Sequence, residues 1–241
     1  MNLQSVLHHS SRITVIAGAL VLVGCSMAPA ATSPGASPTQ PPVVIEASKL
    51  ITWPLATGGV IGVMVIQQVH NVGEDWVQIA ARDSTYEIKA PNGNVVAANN
   101  FRHAYPTYLG PGDVGYLIDQ YLEGSVPIEN ITTLTVSPRF RDLDQRPERR
   151  LSTTNLTLRS DELPGGLYVT GEAENVGESD IASGHVGAVF FDAAGEIIGS
   201  STTDLLEHVA VGESGAFETR PSNPLEESAV ADFVVMASPT L

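Results

Sequence analysis

Four of the six histidines, His70, His103, His185 and His208, those beyond the first two dozen residues, are the side chains best suited to hold a transition metal or to move a proton near neutral pH. None has a partner at ligand spacing, so they are read as surface or half-buried residues and no metal is expected. The acidic runs Asp142-Leu143-Asp144 and Glu178-Ser179-Asp180 lack the loop glycine and terminal Glu of an EF-hand, and solubility accounts for them. There is no G-x-S-x-G elbow and no phosphate loop, so nothing points to a serine nucleophile or a P-loop nucleotide enzyme. Among 27 acidic residues some carboxylates will approach one another by chance, so a glycosidase pair cannot be singled out. The expectation is a non-enzyme with no cofactor and no catalytic residue. One segment invites a recognition role: Asn99, Asn100, Phe101, Arg102, His103, Tyr105 and Tyr108 crowd aromatic faces beside amide and guanidinium groups, the equipment of a sugar or peptide surface. Phe101, Arg102, His103, Tyr105 and Tyr108 are therefore the candidate ligand surface. The competing expectation is that the three rings are inward or cross-strand residues.

The remaining reactive group is the single cysteine, Cys25. A polar start ending in Arg12, an apolar run from Ile13 to Val23 and a small-residue exit at Gly24 read as a secretory signal peptide over residues 1–24. The run is about half the roughly 20 residues that a transmembrane helix needs. Leu22-Val23-Gly24-Cys25 resembles a bacterial lipobox. The resemblance implies that the Cys25 thiol takes a diacylglyceryl group, that cleavage leaves Cys25 as the new N-terminus, and that acyl chains such as palmitate hold the protein to a membrane. Two chains anchor stably where one does not, each buried methylene contributing about 0.8 kcal/mol. With Cys25 acylated no thiol is left for a disulfide, and apolar burial alone must stabilise the exported chain. Residues 25–46 contain Pro29, Pro34, Pro38, Pro41 and Pro42 among Ala, Ser, Thr and Gly, which reads as a disordered tether of about 25 Å when coiled. Ser26 after the Cys is a pointer to the outer membrane if the cell has one.

The elements behind these residues are legible from the period of the apolar pattern. The chain has 241 residues and a formal charge of -15, which disfavours nucleic acid and anionic headgroups as partners. His70-Asn71-Val72-Gly73-Glu74 recurs as Glu174-Asn175-Val176-Gly177-Glu178, Gly93-Asn94-Val95-Val96 as Gly195-Glu196-Ile197-Ile198, and Leu109-Gly110-Pro111-Gly112-Asp113 as Val209-Ala210-Val211-Gly212-Glu213. This is a duplicated unit. Each copy is a series of short alternating runs separated by turn residues, the pattern of an all-β sandwich. Strands are expected over 49–53, 60–69, 77–89, 94–98, 103–109, 114–121 and 131–137, and again over 154–159, 167–173, 185–191, 196–200, 203–209, 215–220 and 229–236. Asn92-Gly93 predicts a type I′ hairpin turn, with positive φ at both residues.

The second copy, through Gly171-Glu172-Ala173-Glu174-Asn175-Val176-Gly177, Val186-Gly187-Ala188-Val189-Phe190-Phe191-Asp192, Gly195, and Gly212-Glu213 before Phe217, resembles the FxLYD domains of bacterial and archaeal envelope proteins. In the naming motif Ala188 replaces the first aromatic, Phe190 the Leu and Phe191 the Tyr, while Asp192 is kept. The first copy departs further, with Tyr86-Glu87-Ile88-Lys89-Ala90 at those places. The resemblance implies a β-sandwich and supplies no catalytic group. The expected organisation is thus all-β: signal peptide 1–24, lipidated tether 25–46, an immunoglobulin-like sandwich over 47–138, an Arg-rich linker and hinge over 139–150, and a second, FxLYD-like sandwich over 151–241. That linker holds Arg139, Arg141, Arg146, Arg149 and Arg150, read as solvated, as bonding the acidic second copy, or as an anionic-polymer site.

The function expected from all this is a membrane-anchored, extracytoplasmic, non-catalytic binding or interaction module of the cell envelope. Its partners would be the membrane, through Cys25, and an envelope protein or glycan. A structural spacer without a specific ligand is the alternative, and a metal-binding or hydrolytic envelope protein a remote one.

Overall fold

The computed structural model describes residues 42–55, 61–123, 133–160, 166–205 and 208–240. The signal peptide, Cys25 and the tether up to Pro41 lie outside them. The described chain is nearly all β. Its first part runs β1 (Val43–Pro54), β2 (Ile61–Asn71), β3 (Trp76–Ile79), β4 (Thr85–Lys89), β5 (Val95–Asn100), β6 (His103–Tyr105), β7 (Tyr108–Leu109), β8 (Val114–Glu123), β9 (Thr133–Ser137) and β10 (Phe140–Leu143). The second runs β11 (Leu151–Ser160), β12 (Leu167–Asn175), β13 (Gly184–Phe191), β14 (Ile197–Leu205), β15 (Ser214–Glu218), β16 (Arg220–Pro221) and β17 (Asp232–Pro239). All pairings between these strands are antiparallel, in sheets ordered β1-β2-β8-β6, β10-β3-β7, β5-β4-β9, β11-β12-β15 and β16-β14-β13-β17.

Three apolar layers hold these sheets together. In the first, Val63 and Val65 of β2 and Leu117 of β8 meet Val77, Ile79, Tyr86 and Ile88 from the two smaller sheets. In another, Leu167, Val169 and Phe217 face Val186, Ala188 and Phe190. The third lies between the halves of the chain, where Met64 and Ile66 of β2, Tyr105, Tyr116 and Ile118 pack on Val189 and Ile197. Strand β2 explains why this layer exists. Alternate side chains of a strand point to opposite faces, and in Ile61-Gly62-Val63-Met64-Val65-Ile66 both sets are apolar and buried. A sheet with one wet face would alternate apolar and polar instead.

The duplicated sequence signatures occupy equivalent local structures. Asn71 and Asn175 end β2 and β12, each almost fully buried. The Asn71 amide donates to the carbonyls of Asp75 (2.8 Å), Leu109 (3.2 Å) and Gly110 (3.0 Å), and its Oδ1 accepts from Gly73 N–H. Asn175 donates to Ser179 (3.1 Å) and Val209 (3.0 Å) and accepts from Gly177 N–H. Gly112 and Gly212, with φ of 79° and 78°, donate their N–H groups to the Asn71 and Asn175 carbonyls. The repeated Asn is therefore a buried staple that bonds one strand end to the backbone of neighbouring turns.

Several sequence expectations change in register or extent. Residues 43–46, assigned to the tether, open β1, and Val43 packs on the first layer. Proline-rich flanks hid a run that pairs with β2. The expected hinge at 139–150 is not a free linker throughout, because Phe140–Leu143 pairs with β3 and Phe140 packs on the first layer. Arg139 N–H donates to Ser84 Oγ at 2.8 Å. The expected strand 77–89 breaks at a single 3-10 turn, Ala81–Asp83, where Ser84 Oγ caps the Ala80 carbonyl. Expected strands 196–200 and 203–209 are partly one strand, β14, since Ser201 and Thr202 continue the ladder opposite Pro221 and Arg220. The Asn92-Gly93 turn is not type I′. Only Gly93 has positive φ (83°), Gly93 N–H bonds the Ala90 carbonyl, and the register slips between Ile88 and Lys89, as in a type I turn closed by a glycine bulge. Gly195 (φ 78°) repeats that loop, with the slip between Phe190 and Phe191.

Candidate functional site

The segment from Phe101 to Tyr108 is divided between buried and accessible side chains. Phe101 is 1 % exposed and meets the Tyr86 ring edge-on, with centroids 5.1 Å apart. Tyr105 is equally buried, in the layer between the halves. Its ring lies over Gly187, where a Cβ would stand 2.8 Å from the nearest ring carbon. Burial, then the nearby charge of Asp204, pushes the Tyr105 hydroxyl well above the ordinary phenol range. These two rings pack the fold and present no face to a ligand, which removes them from the candidate surface. Arg102, His103 and Tyr108 remain accessible in part.

Arg102 is outward, its Nε 3.2 Å from Oδ1 of the buried Asp119 without the alignment of a hydrogen bond. Asp119 Oδ2 accepts the Tyr86 hydroxyl at 2.6 Å. Burial raises the Asp119 carboxyl and outweighs the lowering by Tyr86 and Arg102. Its place in β8 breaks an otherwise apolar alternation between Leu117 and Tyr121, the one signal that marked it in sequence. His103 shares the Tyr105 face of β6, and its ring meets His185 of β13 edge-on at 4.9 Å. His185 Nδ1 stands 3.0 Å from Asp204 Oδ1.

His103 titrates below the ordinary imidazole value of 6.5, first because it is buried and next because of His185, with Asp204 opposing. The folded protein thus prefers neutral His103. Its contribution to stability is complete above about pH 6.5 and is lost as pH falls through the lowered value. Urea midpoints measured between pH 8 and pH 5 should fall for the wild type, and His103→Gln should flatten that decline.

Two clefts flank this segment. One, of about 380 Å³, is lined by Arg82, Asp83, Arg102, His103, Arg141 and His185 among others. The second, of about 410 Å³, is lined by Trp76, Tyr108, Asp113, Arg146, Arg149 and Arg150 among others. Thr107 and Pro239 line both, so the clefts adjoin across that ridge. The ridge is fixed by Ser238, whose Oγ accepts Thr107 N–H at 2.8 Å and donates to the Ala104 carbonyl at 3.1 Å. Arg141 pairs with Asp83 at 2.6 Å, Arg146 stacks 5.7 Å over the Trp76 ring, and Arg150 donates to the carbonyls of Pro147 and Val176. Burial raises the Tyr108 hydroxyl, and Arg149 opposes it. The arginine-rich stretch and the polar half of the 101–108 segment thus share one face, a juxtaposition that the linear sequence did not display. Trp76 and Arg82 were missed outright.

Of the four histidines only His103 and His185 meet. His70 pairs with Glu46 at 2.9 Å and His208 with Asp180 at 3.3 Å. Among the described residues no three His, Cys, Asp or Glu side chains gather as a metal cluster would require. Among them, too, no helix is long and apolar enough to cross a membrane. No family model matches the chain, and no curated protein matches it.

Proposed function

We propose that this protein is an extracytoplasmic lipoprotein, anchored at Cys25, whose folded part is a non-catalytic binding module of the cell envelope. The observation that carries the reading is Leu22-Val23-Gly24-Cys25 at the end of an apolar run, with the only cysteine of the chain in the position that acylation requires. The proline-rich stretch that follows gives the body reach from a membrane surface. The clefts around Thr107 support binding over mere spacing, because they concentrate guanidinium, imidazole and aromatic groups on one face. The FxLYD-type assignment belongs to the same proposal and rests on Phe190-Phe191-Asp192, Gly195 and the glycine-flanked Asn175 turn.

Labelling with radioactive palmitate in a bacterial host, followed by membrane fractionation, tests the anchor. The wild type should carry label and sediment with membranes, whereas Cys25→Ser should carry none and lose most of its membrane association. Unlabelled wild type, or Cys25→Ser that stays membrane-bound, would overturn the lipoprotein reading.

A further inference from the structure

We propose that the two adjoining clefts form a binding site for an acidic polysaccharide, with its carboxylate or phosphate groups on the arginines and its sugar rings against Tyr108, Trp76 and the His103–His185 pair. The proposal rests on the export reading above for its choice of a glycan.

Charge segregation is the main observation. Six of the 12 basic residues of the chain, Arg82, Arg102, Arg141, Arg146, Arg149 and Arg150, line these two clefts. Only Asp83 and Asp113 join them as acids, although acids outnumber bases 27 to 12 overall. Both acids are engaged, Asp83 by Arg141 and Asp113 by Gly110 N–H at 2.8 Å. Arg82, Arg146 and Arg149 have no carboxylate partner among the described residues. In so acidic a protein, three guanidinium groups without a carboxylate partner along these clefts leave positive charge for an anionic ligand. A guanidinium fork is suited to planar two-point bonding of carboxylate and phosphate.

The rest of the lining favours a sugar polymer. Arg146 is held against Trp76, which leaves its N–H edge available and costs little further ordering on binding. Tyr108 is half-buried and presents part of its ring beside Arg149. Thr107 and Thr240 add hydroxyl groups for bonding to sugars. Each cleft lies at the lower end of the roughly 300–1,000 Å³ typical of small-ligand sites, and their adjacency at Thr107 and Pro239 fits a linear ligand laid across both. A nucleic acid is the weaker fit, because its dense phosphate charge meets the overall charge of -15 more severely than a polymer with one charge per sugar.

The test is affinity electrophoresis of the full chain in detergent through gels containing polygalacturonate, dextran phosphate, neutral dextran, a single-stranded oligodeoxynucleotide or polyglutamate. Retardation by polygalacturonate or dextran phosphate, and not by neutral dextran, is expected, and the stronger of the two identifies the acidic group. Arg82→Gln/Arg149→Gln should weaken that retardation at least about tenfold, the equivalent of losing one charge-assisted hydrogen bond. Arg159→Gln, on β11, should leave it unchanged. Circular dichroism melting of each variant separates lost binding from lost folding, and Arg149→Gln alone serves if the double variant is unstable. Equal retardation of folded wild type and variant, no preference over neutral dextran, or retardation by oligonucleotide or polyglutamate as strong as by the glycans would overturn the proposal. Since the gels do not depend on acylation, palmitate labelling can fail while glycan binding holds, and the reverse, so the two readings fall separately.

Discussion

Replacing Asn71 by Asp should destabilise the protein by about 3–5 kcal/mol at pH 7, a loss on the scale of an uncompensated buried charge. The substitution keeps shape and volume and reverses one polarity. In place of an amide nitrogen that donates to the carbonyls of Asp75, Leu109 and Gly110, a carboxylate oxygen would face three acceptors with no water to screen it. Asn175→Asp should behave alike, because its amide meets Ser179 and Val209 in the same way. Asn71→Ala should cost less, about 1–3 kcal/mol, since it leaves carbonyls unsatisfied without adding charge. The Asp variants should also recover part of their loss near pH 4, where a protonated carboxyl can again donate one hydrogen bond. Urea unfolding at the two pH values measures both effects. An Asp variant as stable as wild type would show that the two turns are not held by their asparagines.

Tyr105→Ala should cost about 3–5 kcal/mol, the usual range for emptying a large buried aromatic site. This residue was one of five read from the sequence as a candidate ligand surface, and the structure turns it into a packing residue between the halves of the chain. Gly187→Ala probes the same contact from the other side. Its new Cβ would press on the ring at 2.8 Å, for a cost of about 1–3 kcal/mol. Combining the two changes should be less damaging than their sum, because the added methyl group enters the space that the ring vacates. Strict additivity in equilibrium unfolding would contradict direct packing of Tyr105 on Gly187.

Local chemistry was readable where it acts over a few residues. The alternation of Leu167 to Ala173 and of Val186 to Phe190 marked strands correctly, and the repeated Asn-Val-Gly marked equivalent turns. The glycine at the 92–93 turn was right, but its type was not, since dipeptide identity does not determine whether Asn92 also takes positive φ. Long-range packing was the hidden part. Met64 and Ile66 were compatible with a strand of any kind, and only the presence of Val189 and Ile197 opposite them shows why that face of β2 is apolar.

The site was half legible for the same reason. Aromatic, amide and guanidinium groups between 99 and 108 did indicate an unusual segment, yet composition does not tell which side chains the neighbouring strands cover. Phe101 and Tyr105 went to packing, while Arg102, His103 and Tyr108 stayed on the clefts. The arginines after residue 138 looked like a hinge because five of them follow one another closely. Pairing of β10 with β3 instead carries Arg141 beside Asp83, and the chain beyond it brings Arg146 over Trp76.

Hydrogen–deuterium exchange on the full chain, with and without saturating polygalacturonate, tests most directly whether this arginine-lined face is the working surface. Slower exchange is predicted over residues 81–83, 102–108 and 139–150, with residues 155–160 and the 92–95 turn unchanged. Protection confined to residues 155–160 or to the 92–95 turn, or no change anywhere at a saturating concentration, would contradict it.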